Sequence, residues 1–246
     1  MSEAETPLAG RRALVLGAGT AAGRAAAVAL AQAGADVAVA AGSLDGDEVM
    51  AVRRVRRAVE AAGRRSAEYA FDLTLGQNVR VSTRQVAKEM GGLDLMVYAA
   101  DAFLRRPTEK TSDAEWTRVL NINLSGAFYA CRAALGEMHE RGGSIILLGS
   151  VLAERGATES AAYCAAKAGL EGLVRALAVE TADRQIGVNV IALEPAAAAD
   201  TQARELALGA LVVQLAGDTH AMTTGNVLHI GEGTKPAFQA GSQRSP

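Results

Sequence analysis

Apolar residues along this chain fall into two alternating patterns. Short uninterrupted runs are separated by longer stretches in which apolar side chains recur at helical spacing. Arg12 to Leu16 (RALVL) reads as a buried strand, followed by a Gly/Ala-rich turn and a helix from Ala21 to Ala33 that Gly34 ends. Asp36 to Ala40 (DVAVA) is a second strand, and Asp47 to Ala62 a helix stopped by Gly63. Ser66 to Phe71, Leu93 to Ala99 (LDLMVYA), Ser144 to Leu148 (SIILL), Val188 to Leu193 (VNVIAL) and Val227 to Ile230 complete a set of seven strands. The helices between them are predicted at Val79 to Met90, Ser112 to Asn121, Leu124 to Glu140 and Ser160 to Ala182. Strand–helix alternation with short connections predicts a mainly parallel sheet covered on both faces, because a parallel neighbour needs a crossover and the crossover is right-handed. The expectation is an α/β, doubly wound fold in one domain over residues 1–246, with loose tails at 1–10 and 234–246.

Composition narrows the function classes. Half the residues are apolar but only 4% are aromatic, so the packing is built from Ala, Val and Leu. A net charge of −2 gives no global field for nucleic acid or an anionic membrane. The arginines at 53, 54, 56, 57, 64 and 65 read as a solvated helix face behind the buried stripe Val52, Val55 and Val59; no interleaved aromatic residues offer base stacking. Cys131 and Cys164 form no disulfide framework and read as small apolar residues, and the three histidines are scattered, so no metal site is expected. The apolar stretch Ala25 to Ala41 contains Gln32, Gly34 and Asp36 and changes period midway, which makes it helix–turn–strand rather than a membrane span. With no secretory leader pattern in the first ten residues, a cytoplasmic protein is expected.

Gly17-Ala18-Gly19-Thr20-Ala21-Ala22-Gly23 lies at the first strand–helix junction. Small residues there let backbone N–H groups and a helix N-terminus approach a pyrophosphate, the signature of a Rossmann-type dinucleotide site. At the end of the second strand, an acid would accept a hydrogen bond from a ribose 2′-hydroxyl and repel a 2′-phosphate. The chain reads Ala40-Ala41-Gly42-Ser43, with no carboxylate until Asp45, so the cofactor choice between NAD and NADP leans to NADP, with Ser43 a donor to the phosphate.

Tyr163 and Lys167 stand four residues apart on one predicted helix and share a face. A phenol titrates near pH 10; a neighbouring ammonium favours the phenolate, the shift a proton-transferring tyrosine needs. Ser150 follows the buried run SIILL, at the strand end where parallel sheets bind ligands, thirteen positions before Tyr163.

On these residues the chain resembles the short-chain dehydrogenase/reductase family, from Arg12 to about Gly233. Asn123 in Asn121-Ile122-Asn123 matches the family's catalytic asparagine, and Asp72, followed by Leu73, matches the acid that contacts the adenine. The resemblance implies hydride transfer between a nicotinamide and a ketone or secondary alcohol. Tyr163 is then the general acid/base, Ser150 orients the carbonyl oxygen, Lys167 depresses the tyrosine pKa and binds the nicotinamide ribose, and Asn123 holds a relay water. It also places Ala99, Ala100 and Pro195 against the cofactor, and implies a homo-tetramer or dimer joined through the helices at Leu124–Glu140 and Ser160–Ala182.

Departures from the family pattern cluster around the cofactor. The middle glycine of the turn is Ala21; the Asn-Asn-Ala-Gly after the fourth strand is Tyr98-Ala99-Ala100-Asp101; Pro-Gly is Pro195-Ala196; and the segment from Pro195 to Gly225, normally a helical lid, is short. Two classes stay open: an NAD(P)-dependent oxidoreductase acting on a small molecule, and a non-catalytic binding or assembly protein with weakened cofactor affinity.

Overall fold

The computed structural model describes residues 6–138, 142–194, 201–217 and 222–231. Seven strands, β1 (Arg12–Leu16), β2 (Asp36–Ala41), β3 (Ser66–Ala70), β4 (Leu95–Tyr98), β5 (Gly143–Ser150), β6 (Ile186–Leu193) and β7 (Val227–Ile230), form one sheet in the order β3-β2-β1-β4-β5-β6-β7. Every pairing is parallel. The helices are α1 (Ala21–Gln32), α2 (Gly46–Ala61), α3 (Gly76–Met90), α4 (Asp113–Leu120), α5 (Gly126–Glu137), α6 (Leu152–Arg155), α7 (Ala161–Glu180) and α8 (Thr201–Gly217).

The central strands β1, β2, β4, β5 and β6 are largely apolar because both faces are covered, while the edge strands β3 (SAEYA) and β7 (VLHI) are only partly buried. Leu14 and Leu16 of β1 pack towards α3, α5 and α7, while Ala13 and Val15, on the opposite face, pack towards α1, α2 and α8. The arginine-rich helix α2 buries Val52, Val55 and Val59, and sends Arg53 and Arg56 to Glu68 of β3 at 3.0 and 3.1 Å, as a solvated face should. No helix among the described residues is long and apolar enough to cross a membrane.

Three local features differ from the sequence expectation. Residues 6–10 are not a loose tail: Leu8 is fully buried against the α1/α8 side and its N–H donates to Ala33 O, since an apolar side chain beside that layer gains more by packing than by fraying. The tail at 234–246 lies outside the described residues. The helices expected at 112–121 and 124–140 are joined: α4 runs through a π-helical segment, Asn121–Ser125, straight into α5. Tyr98 braces that widened turn by donating to Ile122 O at 2.5 Å, and a Cβ on Gly126 would lie 2.4 Å from its hydroxyl, so only glycine fits there. The segment after β6 carries α8, which buries Leu208, Val212 and Leu215 on the sheet beside α1 instead of arching over it.

Strand order reverses between β1 and β4, which opens a crevice at the C-terminal edge of the sheet. At the opposite edge, Asp94 just before β4 is clamped by Arg12 of β1: Nε to Oδ2 at 2.7 Å, Nη2 to Oδ1 at 2.9 Å and the Arg12 N–H to Oδ2 at 2.9 Å.

Candidate active site

At the switch point the chain leaves β1 through Gly17, whose φ is +74°. A Cβ there would meet Ala100 N at 2.3 Å, so glycine is required by the backbone of the neighbouring strand end rather than by a ligand. Thr20 caps α1: its hydroxyl accepts from Gly23 N at 3.0 Å and donates to Gly17 O at 2.9 Å, with Ala99 O 3.2 Å away. Ala21 opens α1 without a positive φ, so the methyl in place of the middle glycine costs the turn no strain. The first turn of α1 carries no acid, and Ala21 and Ala22 line the cavity beyond it.

That cavity, about 510 Å³, brings together Thr20, Ala21, Ala99, Ser150, Tyr163 and Lys167. Its volume suits a small substrate with part of a nucleotide. Ser150 ends β5, its Oγ accepts from Leu152 N at 3.2 Å, and its hydroxyl lies within hydrogen-bond reach of the Tyr163 phenol. Tyr163 and Lys167 stack one turn apart on α7 with the ammonium 5.4 Å from the ring centre, both nearly buried. Phe103 packs edge-on against the phenol at 4.9 Å between centroids. Leu152 and Leu193 supply further apolar wall.

Asp101 decides the electrostatics. Its Oδ1 accepts from Tyr163 Oη at 3.0 Å and lies 2.9 Å from Lys167 Nζ, which also donates to Leu148 O at 3.0 Å. Burial first, then the Asp101 carboxylate, holds the phenol well above its ordinary range, against a smaller opposite pull from the Ser150 hydroxyl. The expectation that Lys167 depresses the tyrosine pKa is therefore corrected: the ammonium faces a carboxylate that a glycine at this position would not provide. Among the described residues, two of its three donors are engaged.

Asn123 is fully buried behind the cavity. Its Nδ2 donates to Ala102 O at 2.9 Å and Val119 O at 3.0 Å, and its Oδ1 accepts from Ala102 N at 3.3 Å. The π-helical turn aims it at the residue next to Asp101.

The remaining expected residues lie at the other end of the crevice or outside the described residues. Gly19 sits against α2 at Glu48 and Ala51, Leu73 is buried beside Gly42, and Ala100 is buried against Gly17. Asp72 accepts from Thr74 N at 3.0 Å and Thr74 Oγ1 at 2.6 Å. Pro195 and Ala196 lie outside the described residues. Ser43 is bound differently from the expectation: its hydroxyl donates to Glu48 Oε2 at 2.6 Å, while Gly42 N donates to Oε1 at 2.5 Å. Glu48 belongs to the first turn of α2 yet folds back to the end of β2, and no local sequence signal marks it.

Arg204 at the start of α8 was also missed. It lines the cavity, and its Nε is buried without a hydrogen-bond partner among the described residues. The other charged lining residues are paired: Glu205 with Arg24 at 2.6 Å, Glu194 with Arg155 at 2.7 Å and Asp101 with Lys167. A buried guanidinium nitrogen without a partner among the described residues, lining the same cavity as the acid-free start of α1, suits an anion. With the ammonium of Lys167, these residues fit a dinucleotide pyrophosphate and ribose. Among the described residues no group of side chains suits a metal ion.

Comparison with known proteins agrees with the geometry. The profile of the short chain dehydrogenase family matches residues 11–207. The chain is 32% identical over 186 residues to a hydroxynaphthalene reductase of Aspergillus fumigatus, covering 76% of this chain and 66% of that protein. It is 35% identical over 187 residues to a D-threitol dehydrogenase of Mycolicibacterium smegmatis, covering 75% and 69%. A solved short chain dehydrogenase from Burkholderia cenocepacia, in complex with NADP, superposes with a TM-score of 0.81 at 30% identity, covering 91% of this chain and 97% of that one.

Proposed function

The chain belongs to the short-chain dehydrogenase family, and on that premise we propose that it interconverts a ketone and a secondary alcohol by hydride transfer with a nicotinamide dinucleotide. The observation that carries this reading is the convergence of Ser150, Tyr163 and Lys167 with the start of α1 on one cavity. The cofactor supplies or accepts the hydride. The residues of the chain do the rest. Ser150 turns its hydroxyl proton to the substrate oxygen and steadies the charge that develops there. Tyr163 exchanges a proton with the same oxygen at its Oη. Lys167 would offer a donor to a ribose hydroxyl, the start of α1 at Ala21 and Ala22 with Arg204 would hold the pyrophosphate, and the apolar wall of Phe103, Leu152 and Leu193 excludes water.

Of the two cofactors, NAD is the better match to Glu48. Its carboxylate stands at the end of β2, where a ribose 2′-hydroxyl finds an acceptor and a 2′-phosphate a like charge. The carboxylate of Asp101 on Lys167 also supports a second reading, a non-catalytic member with weakened cofactor affinity. Fluorescence titration with NADH and NADPH, followed by turnover assays with secondary alcohols and ketones, separates the two. The oxidoreductase reading expects submillimolar NADH binding, and loss of turnover on Tyr163→Phe with binding retained. No binding at millimolar cofactor leaves the second reading. Self-association through α5 and α7 is part of the same proposal, and a monomeric mass by light scattering would remove it.

A further inference from the structure

We propose that Asp101 is a catalytic residue that carries the substrate proton between Tyr163 and water; this rests on the reading of Tyr163 as the group that exchanges that proton. Two side chains, Tyr163 and Lys167, meet Asp101 at its Oδ1, and the three residues differ in access. Tyr163 is 7% exposed and Lys167 is 3% exposed, whereas the Asp101 side chain is 41% exposed. Asp101 is therefore the member of the group that reaches water. Direction follows from proton inventory: an ionised carboxylate has no proton to give, so Tyr163 donates its own at 3.0 Å, and its oxygen can still accept, with the Ser150 hydroxyl among the donors that face it.

The wire balances without a phenolate. In oxidation, the alcohol C–H bond breaks and its electron pair leaves as hydride to the nicotinamide. The alcohol O–H bond breaks and its proton joins Tyr163 Oη, as the tyrosine's former proton moves to Asp101 Oδ1. The carboxyl then yields that proton to bulk water. Loss of hydride makes the alcohol proton strongly acidic, so a carboxylate is a sufficient final acceptor. In reduction every step runs backwards. A tyrosine that must ionise on its own would be poorly served by a buried site beside a carboxylate; a tyrosine that passes protons through is well served by it. The charged and titratable groups facing the phenol are Asp101 on the loop after β4 and Lys167 and Cys164 on α7, with the Ser150 hydroxyl on β5. Asn123 is a positioning residue: its two bonds to Ala102 fix the loop position next to Asp101.

The test uses the full chain with NADH or NAD, a panel of ketones and secondary alcohols, and the variants Asp101→Asn and Asp101→Gly. The wire expects kcat to fall on the order of 10²-fold in both, with the NADH dissociation constant within about twofold and the residual kcat rising with pH as Tyr163 ionises unaided. Formate, a small carboxylate able to enter beside residue 101, should restore Asp101→Gly in proportion to its concentration, an effect a merely structural role would not produce. Equal or higher kcat in either variant overturns the inference, and higher kcat with tighter NADH binding makes Asp101 a plug instead. If the wild type turns over and Asp101→Asn matches it, the inference alone fails. If neither wild type nor variants turn over any substrate, the oxidoreductase reading fails and takes the inference with it.

Discussion

Strand β4 carries an aspartate near each end, and the two face different worlds. Asp94, just before the strand, has an 8% exposed side chain and is gripped on both oxygens by Arg12 and on one by its backbone N–H. Asp101, three residues past the strand, is 41% exposed and offers one oxygen to two donors, Lys167 and Tyr163. The separations are alike, 2.7 Å against 2.9 Å, so distance does not distinguish them. Valence and access do. A carboxylate whose lone pairs are filled by a planar guanidinium and a backbone donor has nowhere to send a proton and works as a fastener. A carboxylate half in water, sharing one oxygen with a phenol, is placed to exchange one. The same residue type on the same strand serves cohesion at the edge where βα loops are absent and chemistry at the edge where they gather.

Exchanging each cation for methionine should separate the two roles, and this gives the largest effects. Lys167→Met should lower kcat on the order of 10²- to 10⁴-fold, with stability changed by about 1 kcal/mol or less, because the released Asp101 is left in water. Arg12→Met should leave kcat within about twofold and cost roughly 3 kcal/mol, since Asp94 is then buried without its partner; that is a Tm drop of about 6–12 °C for a chain of this size. Steady-state kinetics and thermal melts on both variants check this. A Tm drop for Lys167→Met as large as that for Arg12→Met would erase the distinction.

Acid sharpens it further. Burial works to raise the Asp94 pKa, but the hydrogen bonds and charge of Arg12 outweigh it and the net direction is down. A carboxyl depressed on folding contributes stability that is complete above its unfolded value, about 3.9, and is lost as pH falls through the folded value. Urea melts should therefore show the gap between wild type and Asp94→Asn constant near neutrality and closing below about pH 4. A gap unchanged at pH 3 would deny Asp94 the role of fastener.

What could be seen in the sequence divides along the same line. The strands were legible because a sheet covered on both faces leaves apolar runs, and Ser150, Tyr163 and Lys167 because a strand end and a one-turn spacing are local facts. Asp101 was visible as a departure from the family pattern, but its partners, 62 and 66 positions later in the chain, were not. Glu48 was hidden differently: its place in the first turn of α2 is what an acid at a helix start looks like, and nothing local reveals that it turns back to Gly42 and Ser43. Arg204 precedes an apolar stripe whose packing partner, α1, lies far away in sequence. Local rules found the frame and the residues fixed to strand ends; long-range charge pairing carried the rest. Glu48→Gln tests one of these hidden residues. It should weaken NADH binding a few-fold and tighten NADPH binding by about tenfold, one charge contact in a partly screened crevice. An unchanged preference in paired fluorescence titrations would move the 2′ position away from Glu48.

The smallest effect is expected where the departure from the family looks plainest. Ala21 replaces a turn glycine, yet it sits at the first helical position of α1, is exposed and has no positive φ. Ala21→Gly would give the unfolded chain more freedom and remove a good helix former, a cost of about 0.5–1 kcal/mol, and would leave the backbone N–H in place. NADH affinity should change by less than about twofold. Should Ala21→Gly instead bind NADH tenfold tighter, the methyl would be shown to hold the phosphates off the helix, and cofactor grip, rather than the proton acceptor at Asp101, would become the feature that sets this chain apart at the upper edge of its sheet.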